Sequence, residues 1–409
     1  MKRYFFGFLV FWVFFLLIYG LFLNRHEIRI LPPELVPRNP PGFYDYSGVI
    51  HVQSHLSTGN SDIQSIVRAA QRSNLDFLFI TDLNTYERPL ELSGYHNQLL
   101  VFLDGKFSYL NSRLLNLDVS TMDHLTGVGR AQVVLTDLLN QTHRSQQYGI
   151  FVLAHPLKHR FQWTGEFPPG LDGIEVINLR HLWQQAWLNH RSSFFWTLFV
   201  YPFNDRLALL RIFRHPRQEF LLWDRLTQQR PTLGFSGADA GAKIRAGRRF
   251  QLGFPSYETL FNISRTHVLL RSELTGHAAG DRQKISTALR NGNFFISLDS
   301  LANPKGFNAL LIDRQGRSHP MGSSINFSDG LKIRIQLPQK PLVPFDVQLF
   351  RDGEHIMTSN SVETEVAIHK PGVYRIQVQV RPSLPLPDGP RWFPWIYTNP
   401  FYVLRESEQ

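Results

Sequence analysis

The sequence predicts an α/β chain: a barrel of parallel strands, then an all-β, immunoglobulin-like sandwich, behind one apolar N-terminal helix. Three observations carry this reading. Strand-like apolar runs alternate with helical stretches from residue 48 to about 300, the pattern of βα units. From about 305 the pattern changes to period two, apolar and polar residues alternating as in half-exposed strands. The first 24 residues hold an uncharged apolar run long enough to cross a bilayer.

Taken in order, residues 1–24 read as a transmembrane signal anchor. Met1-Lys2-Arg3 precedes Tyr4 to Leu23, twenty residues without a charge. That length matches a hydrocarbon core of ~30 Å. The run ends Ile18-Tyr19-Gly20-Leu21-Phe22-Leu23, without the small-residue pattern of a cleaved signal. Lys2 and Arg3 before the span and Arg25 and Arg29 after it nearly balance. The expected placement is a single-pass membrane protein with its bulk on the outer side, periplasmic or extracellular, and contact with membrane lipid through the anchor. Residues 25–47 contain Pro32, Pro33, Pro37, Pro40 and Pro41 and suit an extended linker.

The barrel is expected over 48–304. Asp62 to Asn74 places Ile63, Ile66, Val67 and Ala70 on one helical face, and the strand Leu75 to Thr81 follows at once. Ala131 to Tyr148 reads as a second amphipathic helix, leading into the strand Ile150 to Ala154. Residues 182–230 interrupt the rhythm with an aromatic-rich insertion. Its run Phe194 to Tyr201 is too short to span a bilayer and reads as a buried helix under the rim or as a segment dipping into the membrane interface. The sandwich is expected over 305–409. Lys332 to Gln336, Phe345 to Leu349, Val362 to Ile368 and Val373 to Val380 alternate, and Asp352-Gly353 is a hairpin signal.

Composition excludes several classes of function. With no cysteine, disulfides, thiolate zinc sites and a cysteine nucleophile are ruled out. There is no P-loop, dinucleotide fingerprint or nucleophile elbow. A net charge of +10 comes without any aromatic–basic recognition motif, so no nucleic acid is expected.

Six strand-like runs end on polar residues: His51, Asp82, Asp104-Gly105-Lys106, His155, Glu175 and Asp239. Alternating β and α elements gather functional groups at the carboxyl ends of their strands, so this set reads as one barrel mouth. The motifs Gly48-Val49-Ile50-His51-Val52-Gln53, Thr81-Asp82-Leu83-Asn84, Val152-Leu153-Ala154-His155-Pro156, Gly173-Ile174-Glu175 and Gly237-Ala238-Asp239-Ala240-Gly241 follow in that order. In order and spacing they resemble the PHP (polymerase and histidinol phosphatase) metallohydrolase family. The segment Pro394 to Pro400 resembles the sandwich appended to the barrel in membrane-linked or exported members.

The resemblance implies a distorted TIM-like barrel holding two or three ions of zinc, manganese or iron and hydrolysing phosphoesters through metal-activated water. It also implies losses. The family's H-x-H reads His51-Val52-Gln53, with His55 two residues on; T-D-H-N reads Thr81-Asp82-Leu83-Asn84. A bridging Glu falls on Lys106, a His falls on Ser112 or Arg113, and D-x-H reads Asp239-Ala240-Gly241. The remaining metal candidates are His51, His55, Asp82, His155 and Asp239, enough for one divalent ion rather than a cluster. Asp82, His155 and Glu175 are the catalytic candidates if the chain is active. Lys106 near Asp82 and Asp239 would replace metal charge, and with Lys158, Lys243 and Arg245 would bind a small phosphorylated or other anionic ligand. Two readings stay open: an impaired metal-dependent phosphoesterase, and a non-catalytic anion-binding or scaffolding protein at the membrane surface.

Overall fold

The computed structural model describes residues 2–85, 89–118, 128–141, 149–189, 191–241, 244–246, 250–252 and 254–405. Seven strands close into a barrel: β1 Tyr44–Val52, β2 Phe77–Leu83, β3 Leu99–Tyr109, β4 Ser112–Leu117, β5 Ile150–Ala154, β6 Gly173–Asn178 and β7 Leu233–Ala240. Closure comes from β1, whose Ile50 and Val52 pair with Gly237 and Ala240 of β7. The expected all-parallel barrel is corrected by β4, which runs antiparallel to both β3 and β5. The reason is local. Tyr109 and Ser112 are paired across a tight turn, too short for the crossover that parallel neighbours need. β3 also continues past Lys106 to Tyr109, so Lys106 lies within a strand rather than at its end.

Helices cover the barrel. α1 Lys2–Asn24 stands at the N-terminus. α2 Ile63–Arg72 starts at Asp62, whose side chain accepts from Ser65 N at 2.7 Å, and it buries Ile63, Ile66, Val67, Ala69 and Ala70. α3 spans Val128–Asn140; residues 142–148 of the helix expected there lie outside the described residues. The aromatic insertion folds into α4 Leu179–Asn189, α5 Arg191–Val200, α6 Asp205–Ile212 and α7 Arg217–Gln229. On α5, Phe194, Thr197 and Val200 are buried while Phe195 and Leu198 are exposed.

The barrel sheet continues into the C-terminal strands without a break. β8 Arg265–Leu270 pairs with the first half of β1, and β9 Phe294–Ser297 pairs with β8. Beyond them lie β10 Asn308–Ile312, β11 Lys332–Gln336, β12 Phe345–Arg351, β13 Glu354–Ser359, β14 Glu363–Ala367, β15 Gly372–Val380 and β16 Phe393–Thr398. β16 joins β9 to β15, while β10, β11 and β14 belong to a separate sheet. Ile333 and Ile335 of the separate sheet share one hydrophobic cluster with Val347, Leu349, Ile376 and Val378 of the continuous one. The turn between β12 and β13 has Asp352 and Gly353 both at positive φ, the geometry a two-residue hairpin favours.

Two buried ionic contacts tie these parts together. Arg375 of β15 donates from Nε and Nη2 to the two carboxylate oxygens of Asp224 on α7, at 2.7 and 2.8 Å. His267 of β8 sits between Asp45 of β1, at 2.8 Å, and Asp299, at 3.2 Å. Burial acts to lower the His267 pKa, but the two carboxylates outweigh it and push it up to about 10.

This last contact predicts a pH dependence. An unfolded histidine titrates near 6.5. The stabilisation from charged His267 is therefore fully present below about pH 6.5 and is lost as pH rises through about 10. In denaturant titrations, the stability difference between wild type and His267→Gln should shrink steadily from pH 6.5 to 10. A difference that stays constant would contradict a charged His267.

Candidate functional site

The site follows from strand alternation, since successive side chains point to opposite faces. Phe77 and Phe79, Leu100 and Phe102, Leu115 and Leu117, Ile150 and Val152, and Phe235 form one buried cluster inside the barrel. Phe79 and Phe102 stack with ring centroids 4.0 Å apart and plug the lumen. Four residues beyond Phe102 and Phe235 the same faces carry Lys106 and Asp239 instead of apolar groups, and β6 adds Glu175. His51 and His155 complete the ring. All five are buried.

Local backbone aims them. His51, His155 and Asp239 have φ of 65°, 53° and 45°, in the left-handed region that non-glycine residues seldom enter. Each such residue costs on the order of 1–3 kcal/mol, and such residues gather at functional sites. The β1 register also shifts between Val49 and Val52, around His51, and the β6–β7 register shifts between Glu175 and Ile177. Bulges of this kind turn a side chain out of the regular pleat.

A chain of hydrogen bonds runs through the ring. His51 Nδ1 lies 2.5 Å from Glu175 Oε1, and His51 Nε2 lies 3.0 Å from Lys106 Nζ. Glu175 Oε2 accepts from His155 N at 3.1 Å and from Asn178 Nδ2 at 2.9 Å. The arrangement is consistent when Nδ1–H donates to Glu175 and Nε2 accepts from the ammonium. Gln53 Nε2 donates to Asp239 Oδ1 at 2.6 Å. Asp239 Oδ2 and His155 Nδ1 are buried without a hydrogen-bond partner, although His155 Nε2 lies 3.7 Å from Asp239 Oδ2.

The charges follow from these contacts. Burial pushes the Lys106 ammonium down to about 8, against the opposing pull of Asp239 and Glu175. Burial also drives the His155 pKa down to about 3, leaving a neutral imidazole at neutral pH. The same burial acts to raise Asp239 and Glu175, but their neighbours outweigh it and hold both carboxyls below their usual range. For Asp239 these are His51, His155, Lys106 and Arg180; for Glu175, His51 leads.

Some expected members stand elsewhere. His55 is exposed and does not reach the lumen. Asp82 points to the other face of β2, where Ser54 N, Ser54 Oγ and Ser57 Oγ donate to its oxygens. Leu78 and Ile80 share that outward face, so the parity of β2 places Asp82 away from the lumen. Lys158 is half-buried at the rim, with Nζ 5.4 Å from the Phe161 ring centroid. Lys243 and the Arg245 side chain lie outside the described residues.

Three contributors were not foreseen. Arg180 directs Nη1 to within 3.9 Å of Asp239 Oδ1 from the start of α4, and Asn178 holds Glu175. Gly237 is the third: a Cβ there would overlap Glu175 Oε1, so only glycine leaves room for the Glu175–His51 pair. The one sequence signal for Arg180 and Asn178 is their place just after a strand-end Glu. Behind Asp239, an apolar cavity of about 90 Å³ runs between α4 and α6, lined by Leu179, Trp183, Leu209, Phe254 and Leu260.

The metal fit can be judged from the donors. Among the described residues, His51, His155 and Glu175 offer ligand atoms within 4.8 Å of one another, one possible site. Yet Glu175 Oε1 already takes the proton on His51 Nδ1, and the lone pair of His51 Nε2 faces the Lys106 ammonium and the Gln53 amide, at 3.0 and 3.4 Å. A divalent cation at Nε2 would meet two N–H donors and a like charge, and the one carboxylate beside it, Asp239 Oδ1 at 3.3 Å, already accepts from Gln53 Nε2. With Lys106 in place, the donor set does not fit a metal at this nitrogen.

No family model matches the chain, and no curated protein matches it. One solved structure, a two-domain protein from Bacteroides vulgatus containing a predicted PHP-like metal-dependent phosphoesterase, aligns over 90% of this chain and 98% of its own. Its TM-score is 0.38 and its sequence identity 14%.

The packing at Gly237 gives a direct test of the hydrogen-bond chain. Gly237→Ala should displace the Glu175 carboxylate and lower stability by about 1–3 kcal/mol, the usual cost of overpacking. Thermal melting of the variant measures it. A wild-type melting temperature would contradict the close approach of Gly237 to Glu175 and His51.

Proposed function

We propose that this chain is a membrane-anchored, PHP-type barrel that binds a small phosphorylated or otherwise anionic ligand at its mouth, with a lysine ammonium supplying the charge that metal ions supply in that family. The observation that carries the reading is the 3.0 Å contact between Lys106 Nζ and His51 Nε2. The motif order argues for the PHP barrel, and Lys106 stands at the position of that family's bridging carboxylate. An ammonium there neutralises Asp239 and Glu175 in the absence of metal. Lys158 and Arg180 add positive charge at the rim, where an anion would enter.

In this reading the buried carboxylates hold cations in place rather than activate water. Glu175 orients His51, His51 fixes Lys106, and Lys106, Lys158 and Arg180 meet the anion. The impaired-phosphoesterase reading is favoured by one observation, the approach of His51, His155 and Glu175. It would place one zinc, manganese or iron ion on those three residues, and it needs Lys106 to withdraw from His51.

The anchor assignment rests on α1. Its apolar span Phe6–Asn24 has the length and hydropathy of a membrane helix. Tyr19, Gly20 and Leu23 pack against the folded body, which supports a retained anchor over a cleaved signal. We place the bulk of the chain on the outer side.

Titration calorimetry with inorganic phosphate in the presence of chelator tests the binding reading. Wild type should bind, and Lys106→Met should weaken binding roughly tenfold or more, the loss expected for one charge-assisted hydrogen bond. Phosphate binding or phosphoester hydrolysis that appears only after zinc or manganese is added would favour the hydrolase reading instead.

A further inference from the structure

The anchor helix does not simply lead away from the domain. From Phe6 to Ile18 its described side chains are exposed apart from partly covered Leu16, whereas Gly20 and Leu23 are buried and Tyr19 is half-buried. The Tyr19 ring lies 5.8 Å from the Trp196 ring of α5. The Phe203 ring rests on Gly20, in space that any Cβ would occupy. The Tyr19 hydroxyl donates to the Leu386 carbonyl. Asn204 Nδ2 donates to the carbonyls of Leu23 and His26, at 2.9 and 3.0 Å, closing open groups at the helix end.

This seat fixes depth. A helix rises 1.5 Å per residue, so Tyr19 lies ~7 Å further along the span than Asn24. Lys2 and Arg3 bound the uncharged stretch ahead of Tyr19, and that stretch, Tyr4 to Ile18, covers only ~22 Å, short of the ~30 Å hydrocarbon core. The seated turn must therefore enter the membrane–water boundary, and whatever packs on it enters too.

What packs there suits that boundary. On α5, Phe195 is 57% exposed and adjoins the anchor-facing Trp196, with Leu198 one turn on. Leu386, on the other side of Tyr19, is 79% exposed. Guanidinium groups accompany the aromatics: Arg191 lies over Trp187 at 5.7 Å and Arg211 over Trp196 at 5.7 Å. Aromatic rings and arginines at headgroup level are the usual furniture of a membrane interface. The Leu386 loop is held firmly, because Arg391 donates to the carbonyls of Leu210, Arg211 and Phe213, and Asp388 pairs with Arg211 at 3.1 Å.

We propose that α5 and the loop carrying Leu386 form a collar around the exit of the anchor, embedded in the headgroup layer, with the lipid bilayer as its partner. The collar rests on the anchor reading above. It holds the domain at one height and tilt, and it brings α4 and α6, which bound the cavity behind Asp239, next to the membrane.

The absence of cysteine makes the test clean. Single spin labels at Phe11→Cys, Phe195→Cys, Leu386→Cys and the exposed Leu342→Cys, whose N–H donates to the Ile30 carbonyl beyond the anchor, are placed in the full chain, reconstituted into phosphatidylcholine–phosphatidylglycerol vesicles. Relaxation by oxygen and by a water-soluble nickel chelate then reports depth. The collar predicts an oxygen-to-nickel ratio highest at 11, intermediate at 195 and 386, and at the water value at 342. Ratios at 195 and 386 equal to that at 342, with 11 still deep, would overturn the collar and leave the anchor standing. A water value at 11 would overturn both.

Discussion

The line Glu175–His51–Lys106 is the constraint on which the rest of the site depends. A lysine ammonium is buried beneath a barrel mouth, where desolvation alone would be costly. It is held because His51 offers one ring nitrogen to it and gives the other ring proton to Glu175. Glu175 is held in turn by His155 N and Asn178 and is given room by Gly237. Removing any member leaves a buried polar group without its partner, so the chain stands or falls as a unit.

The barrel supplies that line with two devices. Below it, stacked Phe79 and Phe102 with their apolar neighbours fill the lumen and deny water an approach from beneath. At the mouth, left-handed backbone at His51, His155 and Asp239 turns polar side chains inward as each strand ends. The strain this stores is tolerated because the surrounding sheet is closed on itself and rigid. The same rigidity extends outward, through the His267 ion cluster on β1 and β8 and the Asp224–Arg375 pair, to the C-terminal strands. Barrel, insertion and C-terminal sheets thus share one framework with the seat of the N-terminal helix.

Much of this was legible in the sequence, and the failures have physical causes. Six of the seven barrel strands announce themselves as apolar runs. β4 does not, because Ser112-Arg113-Leu114-Leu115-Asn116-Leu117 alternates too weakly and follows β3 across a tight turn. His51, Lys106, His155, Glu175 and Asp239 were all singled out by their place near strand ends. Asp82 shares that place but not the parity, since the lumen-facing set of β2 is Phe77 and Phe79. His55 was grouped with His51 by spacing alone, and the loop after β1 carries it into solvent. Gly237 carries no chemical signal of its own; its role exists only once the Glu175 carboxylate is placed against it.

The central claim is that the Lys106 ammonium stands in place of metal charge. Metal content per chain, measured by mass spectrometry on wild type and Lys106→Glu purified without chelator, tests it most directly. The account predicts no stoichiometric metal in wild type and a gain of bound divalent ion when a carboxylate replaces the ammonium. One ion per chain already present in wild type, and lost in His51→Ala, would contradict it.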